Sequence, residues 1–182
     1  MHQDLAEILL PAPAIAQRVE QMAEQIINRY ADESVREIVL VSIMSGALLF
    51  TADLIRHLPI PLKLQLITAS SYTGPTTSAT QPVQITCNSP LPVQNAHVLL
   101  VDDIWDTGRT LHAVQHAIHS AGAASLRTAV LLHKPDRAIV RVPVDFVGFV
   151  IPDRFVVGYG LDYNGYYRNL PHIGVLRQEL YA

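Results

Sequence analysis

The spacing of apolar positions changes along this chain, and the changes mark out its elements. Ile15, Val19, Met22, Ala23, Ile26, Ile27 and Tyr30 recur at intervals of three and four, which predicts an amphipathic helix that Pro13 helps to start. Ile38 to Met44 reads as a strand running into Ser45-Gly46, after which GALLFTADLIRHL reads as a helix ending before Pro59. Leu64 to Ala69 is strand-like, as are Val83 to Cys87, Val98 to Val101, Leu126 to Leu132 and Phe146 to Ile151. Leu111, Val114 and Ile118, with Ala117 and Ala121 beside them, keep helical spacing. Strands alternating with helices predict an α/β domain with a mainly parallel twisted sheet flanked by helices. Two stretches break the pattern. SSYTGPTTSATQP, Ser70 to Pro82, is too rich in Ser, Thr, Gly and Pro to be ordered by burial and is expected to be mobile, as a lid or as a plain loop. DRFVVGYGLDYNGYYRNLPHIGVL has no dominant period and, with Tyr181 just beyond it, holds five of the seven tyrosines; it looks like a small lobe capping a site.

Composition narrows the class. A chain of 182 residues, 49% hydrophobic, is long enough for one well-packed domain. No run of eighteen apolar residues and no leader-like N-terminus occur, so a soluble, unexported protein is expected, without a membrane partner. The single Cys87 offers neither a disulfide framework nor metal spacing; it reads as a small buried hydrophobe, and a reducing cytoplasm fits. A net charge of −3 with scattered Lys and Arg argues against nucleic acid as a partner.

The chemistry concentrates in VLLVDDIWDTGRTL. Asp102 to Thr110 reads as a loop between strand and helix, whose N–H groups and helix dipole favour a phosphate, with Thr107 and Thr110 adding hydroxyl donors and Gly108 allowing close approach. Three carboxylates beside a phosphate cradle repel it unless they hold sugar hydroxyls, bind Mg²⁺ or accept a proton, so the combination points to a ribose phosphate. An acidic surface loop is the plain alternative. A receiver domain fails on length, because only 80 residues follow Asp102.

This stretch resembles the phosphoribosyl pyrophosphate motif of the type I phosphoribosyltransferases. SGALLFTADLIRHL, SSYTGPTTS and the C-terminal stretch from Asp153 are further similar to the first active-site loop, the mobile loop and the base-binding hood of the hypoxanthine and guanine enzymes. The resemblance implies the type I phosphoribosyltransferase fold over residues 1–182, with a core at about 12–150, a mobile loop at about 70–82, and a hood from 151–182 plus the N-terminal segment. It implies transfer of 5-phosphoribosyl from phosphoribosyl pyrophosphate to N9 of hypoxanthine, and of guanine, with Mg²⁺ as cofactor, in a cytoplasmic homodimer or homotetramer. Asp106 is implied as general base or acid near N7, and Asp102 and Asp103 as ribose ligands. Thr107, Gly108, Arg109 and Thr110 would hold the 5′-phosphate. Ser45, Gly46 and Arg168 would hold pyrophosphate, and Ser71 and Tyr72 would close over it. Lys134 would meet the 6-oxygen, and Phe155, Val156 and Asp162 would bind the purine. Asp162, Asp102 and Asp103 are the implied metal ligands.

Several positions depart from the family pattern. Ser45 stands where Lys is common, Asp102-Asp103 where Glu-Asp is common, Arg109 where Lys is usual, and Gly165 where Glu is frequent. These leave open a shift among hypoxanthine, guanine and xanthine, and enzymes of this fold also use adenine or pyrimidines. A nucleotide-binding regulator of RNA or DNA is the alternative from another class. His112, His116 and His119 fall at a spacing that can bind a transition metal, although a solvated face is the default. His133 and His172 read as structural hydrogen-bonders.

Overall fold

The computed structural model describes residues 1–71, 83–87 and 91–181. Six strands form one sheet in the order β4-β3-β2-β5-β6-β7, comprising β4 (Val83–Thr86), β3 (Leu62–Ser71), β2 (Ile38–Met44), β5 (His97–Trp105), β6 (Ser125–His133) and β7 (Phe146–Val150). All pairs are parallel except the β3–β4 pair. Three strands form a second, antiparallel sheet in the order β1-β9-β8, joining β1 (Leu5–Leu10), β9 (Ile173–Leu176) and β8 (Val156–Val157). The N-terminal strand thus pairs with the last one.

β2 shows why the main sheet forms. Six of its seven residues are buried, as a central strand covered on both faces requires. Ile38 and Leu40 face the cluster that contains Phe50 and Leu54 of α2 (Leu48–Arg56) and Ile15, Met22 and Ile26 of α1 (Ala12–Asp32). Val39, Val41 and Ile43 face the opposite cluster, with Leu111, Val114 and Ile118 of α3 (Arg109–Ser120). Polar groups inside this core are paired: Ser42 Oγ and Thr51 Oγ1 lie 2.6 Å apart, and Gln115 donates to Thr128 Oγ1 and to the Pro143 carbonyl. On the outer strand β7, Arg18 donates to the carbonyls of Val147 and Gly148.

The element boundaries differ from the sequence reading in instructive ways. The acidic pair Asp102-Asp103 lies on β5, not in a loop, because β5 stays paired with β6 through Trp105↔His133. The turn is therefore only 106–108. α2 begins at Leu48, two residues later than expected, since 45–47 form a turn. β3 extends to Ser71 and pairs with β4, so the expected mobile stretch overlaps a strand at Ser70 and Ser71; its remainder, including Tyr72, lies outside the described residues. β1 was not anticipated, its six residues being interrupted by Glu7. Cys87 is half-buried against the α3-side cluster, because the chain leaves the sheet edge there.

Leu40 is fully buried at the centre of β2. Leu40→Ala is expected to lower the unfolding free energy by about 2–5 kcal/mol through lost burial and a cavity. Urea denaturation reads this, and a loss below about 1 kcal/mol would show that the cluster closes over the gap.

Candidate active site

From β2 the chain crosses through α2 to β3 on one side, and from β5 it crosses through α3 to β6 on the other. The carboxyl ends of β2 and β5 therefore diverge, and such a switch point leaves a crevice. A cleft of about 370 Å³ occupies it. Ser45, Gly46, Asp102, Asp103, Asp106, Thr107, Gly108, Thr110, Asp162 and Arg168 all line it.

Two glycines set its shape. Gly46 follows the cis Met44–Ser45 peptide, and a Cβ on Gly46 would collide with the Asp103 carboxylate, so the first loop and the acidic pair touch through bare backbone. Gly108 has φ +82°, a conformation that side chains rarely adopt, and a Cβ there would strike the Val140 carbonyl. The N–H groups of Ile139 and Val140 donate to the Thr107 carbonyl at 3.1 and 2.9 Å, strapping the 138–140 segment onto this turn. α3 starts directly after it, with His112 N donating to the Gly108 carbonyl at 2.9 Å, so the positive end of the helix faces the turn.

The cleft floor is acidic and poorly compensated. Asp102 is 5% exposed, and its Oδ1 accepts the Asp103 N–H at 3.0 Å. Burial, with the adjacent Asp103 charge, holds Asp102 well above the usual carboxylate range, and burial raises Asp103 as well. Across the cleft, Arg168 Nη2 lies 2.8 Å from Asp162 Oδ1 while its Nη1 donates to the Gly160 carbonyl. Asp162 Oδ2 accepts the Gly165 N–H at 2.8 Å, so both oxygens of Asp162 already have partners.

Other expected residues are not among those lining this cleft. Arg109 is exposed on the first turn of α3. Lys134 is buried after β6, with Nζ 3.8 Å from Asp153 Oδ1; burial pulls its ammonium below the ordinary range, opposed by the carboxylates of Asp106 and Asp153. Phe155 stacks on Tyr181 at 4.7 Å between ring centroids and meets the edge of Tyr163, and Val156 is buried on β8. The side chain of Ser71 lies outside the described residues, like Tyr72.

Sequence reasoning passed over Trp105, Arg137 and Asp153. Trp105 lines the cleft and stacks on His133 at 3.9 Å with planes 10° apart. His133 Nε2 is buried with no hydrogen-bond partner among the described residues, so this imidazole acts through its face and not as the expected hydrogen-bonder. Arg137 Nε lies 2.8 Å from Asp106 Oδ1, and Arg137 Nη1 lies 3.6 Å from Asp153 Oδ1. The available signals were the aromatic residue directly before Asp106 and the second cation in HKPDR.

The histidines of α3 are solvent-exposed, and among the described residues no three His, Cys, Asp or Glu side chains gather as a metal cage would need. Nor, among the described residues, is any helix long and apolar enough to cross a membrane.

Comparison with known proteins matches this geometry to a class of transferases. The family model for the phosphoribosyl transferase domain matches residues 6–164. A hypoxanthine phosphoribosyltransferase of Salmonella typhimurium is 43% identical over 168 residues, covering 92% of this chain and 93% of that protein. A hypoxanthine-guanine phosphoribosyltransferase of Staphylococcus epidermidis is 41% identical over 182 residues, covering 100% and 99%. A crystal structure of hypoxanthine phosphoribosyltransferase from Staphylococcus aureus superposes with a TM-score of 0.91 at 38% identity, covering 100% of this chain and 97% of that one. The chain belongs to the phosphoribosyltransferase family, in its hypoxanthine-guanine branch. These relatives lend no support to a nucleic-acid regulator.

A carboxyl whose folded pKa exceeds its unfolded value costs stability once the pH rises above that unfolded value, about 3.9. Asp102→Asn is therefore expected to raise the urea midpoint of the ligand-free protein at about pH 7, the gain shrinking as the pH falls toward about 4. Urea titrations at the two pH values measure it, and an unchanged or lower midpoint at neutral pH contradicts the burial cost.

Proposed function

We propose that this protein transfers 5-phosphoribosyl from phosphoribosyl pyrophosphate to N9 of hypoxanthine and guanine, releasing pyrophosphate and forming the purine nucleotide. The observation that carries the reading is the juxtaposition, in one cleft, of the Gly108 turn at the N-terminus of α3 with the acidic pair of β5 and Arg168. Relatives named for this activity match over nearly the whole chain.

Thr107, Gly108 and Thr110 hold the 5′-phosphate through main-chain and hydroxyl donors, with Arg109 adding charge from the helix surface. Asp102 and Asp103 accept from the ribose hydroxyls. The backbone at Ser45 and Gly46, together with Arg168, receives the diphosphate. Departure of pyrophosphate leaves positive charge on the sugar ring, which the buried carboxylates stabilise. Asp106 handles the proton of the purine imidazole ring. Lys134 donates to the 6-oxygen, and a buried cationic donor there disfavours a 6-amino purine, which would set two donors face to face. Phe155 offers a ring face and Val156 its main chain to the base, with Asp162 beside them.

Mg²⁺ fits the floor of this cleft. The available donors are hard carboxylate oxygens lining one cleft, the ligand type this ion takes, commonly one or two at a time alongside phosphates and water. Of the three expected ligands, Asp102, Asp103 and Asp162, one or two would hold it directly, Asp162 through lone pairs left by its present partners. When bound there, such an ion would supply positive charge that offsets the diphosphate's.

We take the three-stranded sheet and the loops about it as the hood of a single domain over residues 1–182, and the cytoplasm as its compartment. A homodimer or homotetramer is favoured by an apolar face on the α2 side of the main sheet. Leu64 and Leu66 of β3 lie beside Leu40 and Ser42 of β2, yet are 45% and 46% exposed, and Leu48 of α2 is 49% exposed.

Two measurements test the reading. Purified protein supplied with phosphoribosyl pyrophosphate, Mg²⁺ and hypoxanthine is expected to form nucleotide, with Asp106→Asn lowering kcat by about 10²-fold or more and leaving the KM for phosphoribosyl pyrophosphate nearly unchanged. Consumption of neither hypoxanthine nor guanine ends the proposal, and equal losses in both parameters end the role of Asp106. In sedimentation velocity the protein is expected to run as a dimer or tetramer that Leu66→Asp shifts toward monomer; a wild-type monomer removes the assembly.

A further inference from the structure

We propose that Arg137 is a positioning residue for the transfer reaction, holding the Asp106 carboxylate in its working orientation and keeping it apart from Lys134. The inference rests on the reading of Asp106 as the group that handles the purine proton.

Arg137 closes the short 3-10 turn Pro135–Arg137 that follows β6, and its N–H donates to the Lys134 carbonyl at 3.2 Å. Pro135 fixes the entry to that turn. The cation proposed to read the base and the guanidinium therefore sit at the two ends of one turn, with little freedom between them. Arg137 Nε is 2.8 Å from Asp106 Oδ1, and Arg137 Nη1 is 3.6 Å from Asp153 Oδ1. Lys134 Nζ is 3.8 Å from that same Asp153 oxygen. The four groups make an alternating chain, Asp106, Arg137, Asp153, Lys134, in which each inner residue contacts two opposite charges.

The end of the chain at Asp106 is the informative one. Its Oδ1 is buried and has no hydrogen bond of good geometry among the described residues, so the guanidinium at 2.8 Å is what compensates it. With Oδ1 engaged, the other oxygen remains as the acceptor for a ring N–H in the cleft that Asp106 lines. Lys134 already feels the Asp106 charge. Without Arg137 the carboxylate would turn toward that ammonium, which would spend the proton acceptor and the 6-oxygen donor on each other. Asp153 guards the other side by occupying Lys134. A carboxylate displaced by about 1 Å from its substrate atom loses on the order of 10²-fold in rate, whereas sugar-phosphate binding at the far side of the turn is untouched.

The test is a double-mutant cycle in steady state, using Arg137→Ala, Arg137→Lys, Asp106→Asn and the Asp106→Asn/Arg137→Ala double variant with hypoxanthine. Arg137→Ala is expected to lower kcat by about ten- to a hundredfold with the KM for phosphoribosyl pyrophosphate nearly unchanged. Added ethylguanidinium should restore part of the loss, since the side chain is half-exposed, and Arg137→Lys should lose less than Ala. In the Asp106→Asn background the same change should alter kcat by no more than about twofold. Full kcat in Arg137→Ala, or the same factor lost in both backgrounds, overturns the proposal. Full kcat in Asp106→Asn alone instead overturns the reading on which it rests. An Arg137→Ala protein too unstable to assay would leave Arg137→Lys to decide, where kcat equal to wild type in the presence of normal KM values denies the fork any role.

Discussion

Parallel pairing of β2 with β5, from Val39↔Val98 to Ser42↔Val101, is the constraint on which the cleft depends. It places two strand ends side by side whose onward connections leave in opposite directions, so neither is covered by the other's helix. The Gly46 turn then lies directly against the Asp103 carboxylate, and contact between backbone and acid replaces contact between side chains. Any slip of this register would move the acidic pair away from the first loop, and the phosphate-type turn with it. The core beneath explains why the register holds: successive residues of β2 enter two different apolar clusters, so a shift by one residue would exchange the faces of the whole strand.

The charge arrangement follows from that geometry. On the β5 side, carboxylates are buried with little to neutralise them; on the hood side, Arg168 is already committed to Asp162 and a carbonyl. On the proposed reading, phosphate at the turn and positive charge at the floor are complementary requirements met within a few residues of chain. The turn after β6 serves the opposite end, where Arg137 and Asp153 separate two groups that would otherwise neutralise each other.

Much of this was legible in the residues. Strands with continuous apolar runs, such as Ile38 to Met44, and the helix marked by Ile15, Val19, Met22 and Ile26 were readable because burial on two faces or on one stripe leaves a clear period. Asp102 to Thr110 was readable as a candidate site because that mixture of acids, Gly and Thr is unusual, and the fold brings most of the stretch to one cleft. What escaped depended on partners distant in the chain. The continuation of β5 through Trp105 is decided by pairing with His133, not by its own polar sequence. β1 exists because β9, some 170 residues on, offers it an edge, a fact with no local trace. Arg137 and Asp153 were passed over, since only the folded chain brings them to Asp106 and Lys134.

The stack of Trp105 on His133 has a practical side. The indole is the chain's single tryptophan, it lies between the acidic pair and Asp106, and its Nε1 sits close beneath Gly108. The protein's intrinsic ultraviolet emission above the tyrosine band therefore originates wholly from the floor of the cleft, beside an imidazole whose protonation alters quenching. Occupancy of the cleft can be followed optically in the unlabelled protein, with no second chromophore to dilute the signal.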